Sequence, residues 1–88
     1  MNIKITKLTD AEFKAKDIRS WPTWTKDVSE FDWHYDEPEQ CYFLEGKVEV
    51  TACGKTWSFG KGDFVEFPRG MDCRWKILEG VRKHYNFG

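Results

Sequence analysis

Gly62-Asp63-Phe64-Val65-Glu66-Phe67-Pro68-Arg69-Gly70-Met71-Asp72-Cys73 is the stretch that decides the fold. Gly60-Lys61-Gly62-Asp63 carries turn chemistry, because glycine reaches positive φ at no steric cost and aspartate bonds its own nearby backbone. Phe64 to Phe67 is a short run of strand formers. Pro68-Arg69-Gly70 ends it, since proline has no N–H to give to a ladder. Cys73, Trp75 and Ile77 then alternate with polar residues, which is the period of a strand with one buried face.

The same alternation of short strands and tight turns continues on both sides. Upstream, Lys55 to Phe59, Lys47 to Ala52 and Gln40 to Leu44 read as strands, separated by turns at Cys53-Gly54 and Glu45-Gly46. Before them, Phe31, Trp33 and Tyr35 share one face of a strand and Glu30, Asp32 and His34 the other, ahead of a turn at Asp36-Glu37-Pro38. Downstream, Gly80 breaks the chain before a last strand, Val81 to Phe87. Near the start, Ile3-Lys4-Ile5 reads as an edge strand. Thr9-Asp10-Ala11-Glu12 matches a capping box opening a helical turn through Lys16, which ends before Trp21-Pro22. The expectation is an all-β chain of seven or eight short antiparallel strands, a sandwich or barrel, with one short N-terminal helical turn. Residues 1–27 supply an N-terminal strand, the helical turn and a lead-in, and residues 28–88 the barrel, in one domain.

Composition narrows the function classes. The chain has 88 residues, 33% charged and 40% hydrophobic, as a small globular domain does. Lys plus Arg is 14 against 15 for Asp plus Glu, a net charge of −1, so binding to nucleic acid through many phosphates is not expected. A single-strand binder built on exposed rings is disfavoured for the same reason. No apolar run is long enough to cross a bilayer and the first residues carry no apolar stretch of signal length, so no membrane partner and a cytoplasmic location are expected. Cys41, Cys53 and Cys73 are an odd number, and all three are expected as reduced thiols. Aromatic residues reach 17%, with 5 Trp, 3 Tyr and 7 Phe, which gives a small domain a dense core.

Two segments, Asp32 to Gly46 and Gly62 to Cys73, together resemble the two motifs of the cupin family. Six residues separate Glu39 from Gly46 and four separate His34 from Glu39, as in the first motif, with Asp32 where the family has its first histidine. Gly62, Pro68 and Gly70 follow the second motif, with Cys73 in place of its histidine. Trp21-Pro22-Thr23-Trp24, Cys41 to Gly46 and Arg82-Lys83-His84-Tyr85 are similar to segments of the small cupin branch related to (S)-ureidoglycine aminohydrolase. The resemblance implies a double-stranded β-helix, or jelly-roll, barrel.

It also implies that the motif positions face the barrel interior. There Asp32, His34, Glu39 and Cys73 would form a ligand set for Zn²⁺, Fe²⁺ or Ni²⁺, with His34 and Cys73 close together. Such a metal would act as a Lewis acid or activate water, with Asp32 as a candidate general base. Tyr42 and Trp75 are the candidate ligand-binding residues. Taken singly, the same residues have plainer readings: His34 as a hydrogen-bonded strand residue, Glu39 as a solvated turn residue, Cys73 as a small packed side chain. The acidic segment Asp27 to Glu39 and the mostly basic Arg69 to Lys83 would pair across neighbouring strands. His84 is a further candidate for the cavity mouth. Two functions stay open: a metal-dependent enzyme acting on a small polar molecule, or a metal-free cupin that binds one. The protein is expected to be a monomer or a homodimer.

Overall fold

Two glycines expected to end strands do not end them. The computed structural model, which describes residues 1–88, runs one strand from Glu39 to Ala52 and another from Asp72 to Phe87. The strands are β1 (Lys4–Thr6), β2 (Thr23–Lys26), β3 (Ser29–His34), β4 (Glu39–Ala52), β5 (Lys55–Gly60), β6 (Phe64–Phe67) and β7 (Asp72–Phe87). All pairings are antiparallel, and β4 and β7 are the trunk. The first part of β4 pairs with the end of β7, and the last part of β4 with its beginning. β3 and β5 flank one half of this pair, while β2, β6 and then β1 extend the other.

Gly46 explains why the expected turn is a bend within a strand. The β4–β7 register shifts between Phe43 and Val48, as at a β-bulge, where an extra residue bends the strand and increases its twist. Gly46 sits there at φ 103°, and a Cβ added to it would lie 2.6 Å from the Gly80 carbonyl oxygen. Only glycine fits. The bulge also changes which residues face inward. Glu39, Cys41 and Phe43 are buried before it, Val48, Val50 and Ala52 after it. β7 keeps one parity throughout, with Cys73, Trp75, Ile77, Val81 and Lys83 all buried.

Both halves share one core. Trp75 lies 5.7 Å from Phe67, 6.2 Å from Phe59 and 6.5 Å from Phe43 between ring centroids, so the rings make the dense interior that the composition implies. Residues 1–27 are more than a lead-in. β1 pairs with β6, β2 with β7, and the Tyr85 N–H donates to the Pro22 carbonyl at 3.0 Å. Helix α1 (Asp10–Ala15) starts at the expected capping box: the Glu12 N–H donates to Thr9 Oγ1 at 3.2 Å, and the Thr9 N–H to Glu12 Oε1 at 3.0 Å. No helix is long and apolar enough to cross a membrane. Cys41 and Cys73 are buried and Cys53 is exposed, each a free thiol.

Candidate ligand-binding cavity

Strand alternation decides which candidate residues meet. In β3 the apolar set turns inward: Phe31 is half-buried against the core, Trp33 reaches the rim, and Tyr35, just beyond the strand, is 2% exposed. Asp32 and His34 therefore point outward, which corrects the expectation that they face the interior. Asp32 Oδ1 accepts from Arg74 Nη1 at 2.8 Å, and Glu30 accepts from the same guanidinium at 2.7 Å. His34 Nδ1 lies 2.6 Å from Asp72 and Nε2 lies 3.4 Å from Asp36, with the ring half exposed. The cause is physical: burying Tyr35 and part of Phe31 and Trp33 removes more apolar surface from water than the polar set could, and the period of two leaves no third choice. Arg74 pairing with Glu30 and Asp32 also realises the expected match of acidic and basic segments.

Glu39, Cys73 and Trp75 do turn inward, being 6%, 7% and 2% exposed. Tyr42 does not. It lies on the opposite face of β4 from Cys41 and Phe43, edge-on to Phe13 of α1 at 4.9 Å. His84 also lies away from the cavity, its Nδ1 2.9 Å from the Trp21 carbonyl oxygen. The four expected metal ligands thus lie on two sides of the sheet and do not converge on one ion, and no group of three or more His, Cys, Asp or Glu side chains is arranged to hold one. This donor set does not fit the metal that the motifs imply.

What the interior does hold is a lysine. Lys83 follows Val81 and precedes Tyr85 on the inward face of β7 and is 5% exposed. Its Nζ donates to Glu39 Oε1 at 3.3 Å and to Cys41 Sγ at 3.2 Å, while the Cys41 thiol donates to the same carboxylate at 3.1 Å. Trp75, Trp24 and Phe43 surround the ammonium at 4.9, 5.0 and 5.8 Å from their ring centroids, within cation–π range. A buried lysine survives only when it is paired and hydrogen-bonded. Here a carboxylate, a sulfur and three ring faces do both.

Above this pair is a cavity of about 190 Å³, walled by Trp24, Phe31, Trp33, Tyr35, Trp75 and Tyr85. An apolar cavity of about 150 Å³ already accepts benzene, so this one has room for a single substituted ring. Behind its wall lies a donor without a well-formed bond. The Trp75 indole N–H is buried beside the Tyr35 hydroxyl and the Cys73 thiol, yet it makes a well-formed hydrogen bond with neither. Burial pushes the Tyr35 phenol far above its ordinary range and the Cys73 thiol up to about 11, so both keep their protons near neutral pH. Burial likewise raises the Cys41 thiol, although Lys83 pulls it down.

Sequence reading missed Lys83, Trp24 and Tyr35 as cavity residues. The signal for Lys83 was present: a cation in the alternating set Cys73, Trp75, Ile77 and Val81, which is mostly apolar. Trp24 lies in the Trp21-Pro22-Thr23-Trp24 segment, which looked like a lead-in but enters the sheet as β2.

Solved cupins superpose on this antiparallel fold. An RmlC-like cupin from Shewanella frigidimarina superposes with a TM-score of 0.57 at 17% identity, over 74% of this chain and 64% of that one. The EutQ protein of Clostridium difficile gives 0.70 at 18%, over 97% of this chain and 66% of that one, and at such identities the likeness speaks for the fold alone. A DUF861 family protein from Thermotoga maritima is far nearer, with a TM-score of 0.97 and 56% identity over 99% of this chain and 100% of that one. A search of curated proteins found no match. The model of the EutQ-like cupin domain matches residues 13–85, and the chain belongs to that family.

Proposed function

We propose that this cupin binds a small polar molecule of single-ring size in its inner cavity, with Lys83 as the built-in cation and no resident metal. The Trp75 indole N–H carries the reading. A buried donor without a partner costs about 1–3 kcal/mol, and a turn of the ring that brings it to a ligand oxygen in the cavity would remove that cost. The aromatic walls supply the apolar contact, and the Lys83–Glu39 pair a polar floor. A divalent metal held by His34, Glu39, Cys73 and Asp32 is the competing reading, and it requires His34 and Asp32 on the side of β3 opposite to the one they occupy. The likeness to the ureidoglycine aminohydrolase branch rests on Trp21 to Trp24, Cys41 to Gly46 and Arg82 to Tyr85. Its activity is not part of the proposal, because Asp32 and Cys73 stand where cupin motifs have histidines. A reducing cytoplasm suits the three free thiols.

Calorimetric titration with benzamide and with benzene, both in the presence of a chelator, tests this. Saturable benzamide binding is expected, weakened about tenfold or more in Trp75→Phe, where a hydrogen bond worth about 1.4 kcal/mol is removed. Absence of binding to any ring-sized probe, or binding that needs added zinc and fails in His34→Ala, would overturn it.

A further inference from the structure

Lys83 has more than an anchoring geometry. We infer that its amine forms a protonated imine with a small aldehyde or ketone admitted to the cavity, with Glu39 as the proton carrier. This rests on the reading of the cavity as a ligand site and adds the class of ligand, a carbonyl compound no larger than one substituted ring.

Three observations carry it. Lys83 and Glu39 both line the cavity, so a small solute admitted to it lies beside the pair. Glu39 Oε1 lies 3.3 Å from Nζ, within reach to take a proton from the ammonium and return it later. The cage of Trp24, Phe43 and Trp75 holds a positive charge at this nitrogen, and the product keeps that charge in the same place. The third point removes the usual objection to a charged lysine as nucleophile, that the surroundings which favour the ammonium oppose reaction. Ammonium and iminium carry equal charge, so the rings and the carboxylate that stabilise one stabilise the other.

The step balances within these groups. The Lys83 ammonium gives a proton to Glu39, and the freed lone pair attacks the carbonyl carbon, forming the C–N bond as the C–O π bond breaks. A proton passes from nitrogen to the alkoxide, giving a neutral carbinolamine. Glu39 returns its proton to the hydroxyl, which leaves as water, and the nitrogen lone pair closes the C=N⁺ bond. The net change is ammonium plus carbonyl to iminium plus water, with Glu39 again a carboxylate and no oxidant or reductant consumed. Arginine at this position would keep the charge but could not form the imine, because its guanidinium is not deprotonated in proteins.

Benzaldehyde followed by a rapid borohydride quench tests the inference, read by intact mass and peptide mapping on the full chain. One benzyl adduct on Lys83 is expected, forming ahead of the surface lysines. It should be absent in Lys83→Arg, and about a hundredfold slower in Glu39→Gln. Should a variant fail to fold, mapping of the wild-type adduct decides alone. Adducts spread over surface lysines with Lys83 untouched, in a protein that still binds benzamide, would overturn this inference and leave the binding reading standing. Neither adduct nor benzamide binding would overturn both.

Discussion

β7 carries cations on both faces, and two of them, Arg74 and Lys83, are held very differently. Outside, Arg74 makes the shorter bonds, 2.7 Å to Glu30 and 2.8 Å to Asp32, yet its side chain is half exposed and its partners largely so. Inside, Lys83 makes a longer bond to Glu39, 3.3 Å, with both side chains more than nine-tenths buried. Short distance is not strength here. Water screens the outer pairs whatever their geometry, whereas each inner partner would be left as an uncompensated buried charge without the other. The outer face can therefore lose its charges with little consequence, and the inner face cannot. That contrast also separates the two candidate sites, His34 and Asp32 outside against Lys83 and Trp75 inside.

The largest expected effect tests the inner pair. Lys83→Met or Glu39→Gln alone should each cost about 3–5 kcal/mol in urea unfolding, and the double variant Lys83→Met/Glu39→Leu should recover most of it. Singles and double with equal, small losses would erase the distinction between the faces. Thiol labelling sharpens the same contrast. Cys53 should react in the native protein, whereas Cys41 and Cys73 should react only on unfolding, because burial both shields them and raises their pKa, Cys73 to about 11. Fast native labelling at Cys41 would mean that the strand face behind Lys83 is not shielded.

Outside, Arg74→Ala should leave the urea midpoint near that of the wild type, with any difference vanishing in about 1 M salt. A large, salt-resistant loss would break the comparison from the other side. The smallest effect belongs to the helix cap. The Thr9 backbone and side-chain hydrogen bonds hold the Glu12 carboxyl below its ordinary 4.5. The cap's contribution is therefore complete above 4.5 and is lost as pH falls through the lowered folded value. Glu12→Gln should remove that part of the acid dependence, measured by unfolding between neutral and acid pH.

The turn grammar of the chain was enough to give an antiparallel β fold, and Thr9 with Glu12 was enough to place the helix start. Gly46 and Gly80 misled because a glycine at a bulge and a glycine in a turn look alike in sequence, and the close approach of the two backbones exists only once the strands pair. The cavity was half legible. Glu39, Cys73 and Trp75 sit at alternating positions that could be read inward, but the motif spacing pulled His34 and Asp32 with them, against the apolar alternation of Phe31, Trp33 and Tyr35. Where motif register and hydrophobic period disagree, the period carries the larger free energy. Lys83 was hidden by an ordinary expectation, that a lysine in a strand marks the solvent side.

The central claim, that the ligand site is the inner cavity and centres on Trp75 and Lys83, is tested most directly by following the tryptophan indole N–H resonances while benzamide is added in chelator-containing buffer. Assignment through Trp75→Phe identifies the signal of interest. The account predicts that the Trp75 indole proton moves downfield and gains protection from exchange as an acceptor oxygen reaches it, and that Lys83→Met weakens the response while His34→Ala leaves it unchanged. An unmoved Trp75 signal at saturating benzamide, or a response abolished by His34→Ala, would contradict it.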